Sequence, residues 1–210
     1  MAKFDIVPGL RVVTRDSWGA SANHPRLGAK VARSKRTHVF VHHTVMIDTA
    51  DETPNVWDRE SDIFKMMRRL QTVRAEELGA DVPYNFVAFF TKANDGLTIC
   101  EGRGEDRAGA HTKGHNTAAI AVSFAGDFQN AAIENVEIAR RMPLLSFFLG
   151  WLKHSASHPD YGNFAPLKKL GTLQPQGRRV FFHRDVKNTA CPGAKLEQHL
   201  KQVDFLDPAA

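Results

Sequence analysis

Thr37-His38-Val39-Phe40-Val41-His42-His43-Thr44-Val45 is the stretch whose reading decides the fold. β-Branched and aromatic residues run almost unbroken through it. Alternation along a strand sets Val39, Val41 and His43 on one face and Phe40, His42 and Thr44 on the other. Both faces are largely apolar, so the strand is expected in the middle of a sheet covered on both sides. The two histidines at its end then point in opposite directions, and only one can enter a given site.

Outward from this strand, Ile63, Met66, Met67, Leu70 and Val73 fall at three- and four-residue spacing. With Gly79 after Leu78 as a stop, they predict an amphipathic helix of about five turns. Tyr84 to Thr91 reads as a strand, Asn94-Asp95-Gly96 as a hairpin turn into Leu97 to Cys100, and Ala118 to Phe124 as another strand apolar on both faces. Ile133 to Lys153 reads as a helix that Pro143 should kink or divide. His154 to Gly177, punctuated by Pro159, Gly162, Pro166, Gly171 and Pro175, is expected to be a long irregular insertion. Arg179 to Phe182 is a last short strand, and Pro192 opens a final helix with Leu196, Leu200 and Val203 on its apolar face. Strands interleaved with helices predict an α/β (α+β) fold with a central mixed β-sheet flanked by helices. The expectation is a single domain over residues 1–210, with a core at about 14–203, an insertion at about 154–177 and no second domain.

A chain of 210 residues that is 42% hydrophobic and 24% charged excludes disorder, collagen and coiled coil. Lys and Arg number 28 against 23 Asp and Glu, and the net charge of +5 suits a polyanionic partner such as nucleic acid or a bacterial wall polymer. No basic motif interleaved with aromatics accompanies the charge, so no nucleic-acid partner is expected. No stretch reaches the roughly 18 apolar residues of a membrane span, and no membrane insertion is expected. Two cysteines, Cys100 and Cys191, cannot build a disulfide framework, so each thiol needs its own explanation.

Ten histidines offer candidates for chemistry. His42-His43 at a strand end, His111 and His115 in a Gly-rich loop, and the His183 to Cys191 pair all lie beside turn residues, where sites gather. Cys191 precedes Pro192-Gly193 at a helix start, where the dipole and free amides are expected to favour the thiolate. Two imidazoles and a thiolate would meet the need of a catalytic zinc site, which takes three protein ligands and leaves a fourth position for water.

Six blocks, in order, carry a resemblance: Ser17-Trp18-Gly19-Ala20, Val41-His42-His43-Thr44, Pro83-Tyr84-Asn85-Phe86, Glu101-Gly102-Arg103-Gly104, Gly109-Ala110-His111-Thr112, and Phe182-His183-Arg184-Asp185-Val186 running to Cys191-Pro192-Gly193. Together they resemble the zinc amidase family of peptidoglycan recognition proteins and phage amidase lysozymes, the N-acetylmuramoyl-L-alanine amidases. The resemblance implies Zn2+ held by His42, His183 and Cys191, with Tyr84 assisting at the reacting oxygen. It implies substrate contact by His111, whose neighbours Arg103, Lys113 and Asn116 are candidates to meet stem-peptide carboxylates. His43, on the other strand face, is expected to pack or to support the site from behind, and is also counted among the candidates for substrate contact. Thr189 stands where phage lysozymes carry a lysine and many recognition proteins a Thr or Ser, so an assisting role for it lacks the positive charge. Gly104-Glu105 departs from the Gly-Trp of relatives that prefer diaminopimelate, so that preference does not carry over. Cys100 is read as an inert buried thiol.

The resemblance implies hydrolysis of the amide between N-acetylmuramic acid and L-alanine, with bacterial peptidoglycan as partner and the chain acting as a monomer. The alternative is a non-catalytic wall-binding module of the same fold. Because both histidines, the cysteine and the tyrosine are all present, the enzyme is favoured. The absence of a signal peptide leads to the expectation of a phage endolysin, made in the host cytoplasm and acting once the membrane is permeabilised.

Overall fold

The computed structural model describes residues 2–45, 47, 54–79, 81–154 and 178–208. The chain opens on two strands, β1 (Lys3–Val7) and β2 (Leu10–Val13), and then reaches the decisive strand, β3 (His38–His43). A two-residue strand β4 (Val56–Trp57), helix α1 (Glu60–Leu78) and strands β5 (Phe86–Thr91), β6 (Gly96–Glu101) and β7 (Ala119–Phe124) follow. Helix α2 (Asn135–His154), strand β8 (Val180–Phe182) and helix α3 (Ala194–Leu200) complete the fold.

The strands form one mixed sheet in the order β1-β2-β6-β5-β7-β3-β8, with β4 alongside β5. β3 is interior, as its two apolar faces require, and runs parallel to both neighbours, with Val41 opposite Val122 of β7 and Phe182 of β8. The hairpin expected at Asn94-Asp95 joins antiparallel β5 and β6, and both turn residues adopt positive φ. α1 stops as expected at Gly79, in the left-handed conformation that glycine adopts most easily.

The two faces are covered differently. Val39, Val41, Phe86, Ala88, Phe90, Ile120, Val122 and Phe124 meet Ile138, Leu145, Phe148, Leu149 and Leu152 of α2, with Leu196 and Leu200 of α3 alongside. On the other face, Ile63, Met67 and Leu70 of α1 pack with Val13, Trp18, Val87, Phe89 and Cys100, so α1 lies over the β2-β6-β5 half. Over β3 and β8 that face carries Phe40, Ala119 and Phe181 as a small separate core. There His111 and His115, from the loop before β7, lie against Phe40. Cys100 is fully buried, and burial pushes its thiol pKa far up, in line with an inert role.

One strand pair is added to the expected elements and two expectations are corrected. The N-terminal β1 and β2 are joined at Pro8-Gly9, a turn signal, where Gly9 takes φ +84°. Pro143 does not divide α2, which continues through it. The proline removes one N–H, but it sits on the exposed side while its neighbours Met142 and Leu145 are buried, and their packing holds the helix together. The final helix starts at Ala194, not at Pro192. The insertion expected at 154–177 lies, apart from its first residue, outside the described residues.

Because Pro143 is exposed and serves no visible packing, Pro143→Ala is expected to raise stability by about 1–3 kcal/mol, the gain in helix propensity less the unfolded-state entropy that proline suppresses. Urea unfolding monitored by circular dichroism measures this; a lower midpoint would contradict the account of α2.

Candidate metal centre

Parallel pairing brings the ends of β3 and β8 together. Val41 stands opposite Phe182, and the next residues are His42 and His183. His42 turns toward the Phe40 face and is buried. His183 begins a short turn whose Asp185 carboxylate accepts the Phe182 N–H at 2.9 Å. The segment then closes on itself, because the Arg184 N–H donates to the Cys191 carbonyl at 3.1 Å. This closure sets Cys191 beside His183 across eight residues of sequence. The His42 and His183 rings are 4.7 Å apart, centroid to centroid, and Cys191 Sγ is 3.5 Å from His42 Nδ1. One donor atom each from His42, His183 and Cys191 lies within 4.8 Å of the others.

Among the described residues no fourth His, Cys, Asp or Glu joins this group. Burial holds the pKa of His42 well below the ordinary imidazole value, with His111, His183 and His43 adding to the effect. Burial and then Lys187 lower that of His183. Both imidazoles are therefore neutral at pH 7, the form that ligates. The Cys191 thiol is pushed up to about 11 by burial, against the opposing pull of the His43 backbone amide and Arg184. This corrects the expectation that the helix start favours the thiolate: α3 begins three residues later, and without a cation to bind the thiol keeps its proton. The donor set fits zinc, since two neutral imidazoles and one thiolate are ligands of its usual kind and leave a fourth tetrahedral position open.

The remaining predicted residues fall into two groups. Tyr84, just before β5, is half-buried with its ring 5.4 Å from that of His42. Its hydroxyl pKa is raised by burial and then by the neighbouring Cys191, so the phenol is a proton donor at neutral pH. Thr189 Oγ1 accepts the Cys191 N–H at 3.2 Å, which leaves its own proton free to donate. His111 touches the centre directly, with Nδ1 at 3.2 Å from His42 Nε2, and burial holds its pKa down to about 3.

The others stand apart. His43 faces the opposite side, where its Nδ1 accepts the Phe128 N–H at 3.1 Å. The Arg103 guanidinium is buried and donates to the carbonyls of Val82 and Ala108 at 2.9 and 3.1 Å, so it braces the loops. Asn116 Oδ1 accepts the N–H groups of His111 and Thr112 at 2.9 and 2.8 Å. Lys113 is exposed at the tip of the same loop. Two residues went unassigned in the sequence. Thr112 places Oγ1 at 3.4 Å from His42 Nε2. Ser123 stands opposite His42 across β3 and β7 and is fully buried. Thr112 was adjacent to a recognised histidine, and Ser123 could have been found from strand pairing alone.

No family model matches the chain. Peptidoglycan-recognition protein SC2 of Drosophila simulans is 23% identical over 196 residues, 93% of this chain and 87% of that one. Peptidoglycan-recognition protein LB of Drosophila melanogaster is 27% identical over 197 residues, 91% of this chain and 68% of the relative. An N-acetylmuramoyl-L-alanine amidase of Mus musculus is 30% identical over 192 residues, 85% of this chain but only 30% of that longer protein. Among solved structures, wild-type Drosophila PGRP-LB superposes with a TM-score of 0.62 at 21% identity, covering 96% of this chain and 98% of the other. Human PGRP-IBETAC, in complex with glycosamyl muramyl pentapeptide, does so with a TM-score of 0.63 at 20% identity, covering 93% and 96%. The homologues are thus peptidoglycan-recognition proteins with an amidase among them, and the fold is theirs.

The pKa directions set the proton balance of metal binding. The two imidazoles are already neutral at pH 7 and the thiol is protonated, so zinc binding should release about one proton per ion, and the logarithm of the affinity should rise by about one per pH unit between roughly pH 6.5 and 8.5. Calorimetry in buffers of different ionisation enthalpy counts the proton. A count of zero, or a Cys191→Ser variant that releases as many, would contradict thiolate ligation.

Proposed function

We propose that the chain is a zinc-dependent N-acetylmuramoyl-L-alanine amidase, a hydrolase that cleaves the amide between the lactyl group of N-acetylmuramic acid and the L-alanine of the stem peptide. The observation that carries the reading is the convergence of His42, His183 and Cys191 within 4.8 Å, with the Tyr84 ring against His42. The kinship to peptidoglycan-recognition proteins and to an amidase supports the substrate class.

His42, His183 and Cys191 would hold the zinc. Bound there, the ion supplies Lewis acidity that polarises a carbonyl and lowers the pKa of a water from 15.7 toward about 7. Two neutral imidazoles and one thiolate leave the centre with net charge +1, so it keeps an attraction for a developing oxyanion. Tyr84, kept protonated by its enclosure, donates a hydrogen bond to the lactyl carbonyl oxygen as that atom gains charge. Thr189 holds the Cys191 backbone and has its hydroxyl proton free for the same region. Hydrolysis forms one C–O bond and breaks the C–N bond; the water's proton ends on the L-alanine amine.

A second reading, a wall-binding module without catalysis, is favoured by the names most relatives carry, which are those of recognition proteins. Digestion of purified sacculi separates the two. The zinc-loaded parent is expected to release stem peptides with a free L-alanine amine, identified by mass spectrometry, and Cys191→Ala to release none. Tyr84→Phe should bind sacculi as the parent does and turn over about 10²–10³ times more slowly. Binding to sacculi by the parent without such peptides would make the module the better account.

The proposal extends to setting: a phage endolysin, made in the host cytoplasm and acting on the wall after the membrane is breached. The net charge of +5 supports attraction to anionic wall polymers. If that attraction drives binding, lysis should weaken steeply as salt is raised to about 0.5 M, where the Debye length falls to a few ångströms. A flat response would count against it.

A further inference from the structure

His42 has two ring nitrogens with different neighbours. Nδ1 faces the thiol, 3.5 Å from Cys191 Sγ. Nε2 faces away from it, 3.2 Å from His111 Nδ1 and 3.4 Å from Thr112 Oγ1. Those two atoms are themselves 2.9 Å apart. A neutral imidazole carries one proton, and the nitrogen that ligates a metal must be the other one. Nδ1 can serve the metal only if the proton sits on Nε2, where it needs an acceptor in a buried setting.

The loop that supplies the acceptor is built to hold it still. The Asn116 side-chain oxygen takes the backbone N–H of both His111 and Thr112, and the Asn116 carbonyl takes that of Gly109 at 3.2 Å. Position 109 has to be glycine for the ring to lie where it does, because a Cβ there would come within 2.3 Å of His111 Cδ2. Thr112 is buried. Neither His111 nor Thr112 is placed to ligate with the other three, since both sit on the far side of His42 from Cys191.

We propose that His111 Nδ1, seconded by the Thr112 hydroxyl, holds the proton of His42 on Nε2 and so presents Nδ1 to the metal. His111 is then a positioning residue of the centre, whatever else it touches, and Asn116 acts one step behind it. The inference rests on the reading of His42, His183 and Cys191 as a metal site. Second partners of this kind typically change metal affinity by about 10- to 100-fold.

The test uses the full chain and zinc alone. Affinity is measured by competition with a fluorescent chelator for the parent, His111→Leu with Thr112→Val, and His111→Asn, whose carboxamide restores an acceptor near the position of Nδ1. Metal-free unfolding midpoints of all three show whether the fold survives. The double variant is expected to bind zinc about 10- to 100-fold more weakly, and His111→Asn to stay within about threefold of the parent. Equal affinity in the double variant, or equal loss in His111→Asn, would overturn the inference while leaving the metal site intact. A parent that binds no zinc would remove both. Long-range 15N–1H NMR of the metal-free parent gives a reading that needs no variant: the His42 proton is expected on Nε2, and a proton on Nδ1 would overturn the proposal.

Discussion

Val41 of β3 and Phe182 of β8 stand opposite each other in a parallel ladder, and everything at the site depends on that register. Parallel strands end at the same edge, so His42 and His183 leave the sheet side by side. Alternation then chooses the face: a slip of one residue in β3 would send His42 toward α2 and bring His43 to the cleft. The large apolar cluster under α2 opposes such a slip, since Val39 and Val41 would have to leave it. The most hydrophobic part of the protein thus fixes the position of one of its most polar parts.

The second constraint is electrostatic. Three imidazoles, a phenol and a thiol sit together in a setting that penalises charge. The physical response is uniform: His42, His111 and His183 lose affinity for protons, while Cys191 and Tyr84 hold theirs more tightly. The metal-free centre is therefore neutral, and a bound divalent cation would displace only the thiol proton. His43 shows the same tendency on the opposite face, where it supports Phe128 and, through its backbone, the thiol.

Much of this was legible in the sequence because it follows from periodicity. The two-faced strands, the amphipathic α1 and its glycine stop depend on local spacing, and the strand ends and the helix stop lie within two residues of where that spacing puts them. The N-terminal strand pair escaped because its strands are short, five and four residues, and offer too little periodicity to stand out. At the site, the three ligand candidates were readable from residue type and order. What the neighbours do was not. Arg103 and Asn116 look like ligand-binding groups by composition, yet both turn inward onto backbone, Arg103 buried and Asn116 half-buried, and that placement is a property of the tertiary fold. The Cys191 thiolate was argued from a helix dipole, and three residues of displacement were enough to let desolvation decide instead.

The central claim is that the buried thiol and two imidazoles form one metal centre. X-ray absorption at the zinc edge of the loaded protein tests it most directly. The account predicts one sulfur at about 2.3 Å and two imidazole nitrogens at about 2.0–2.1 Å, with one light-atom ligand from solvent completing four. A spectrum with no sulfur shell, or with only oxygen and nitrogen from adventitious surface groups, would contradict it.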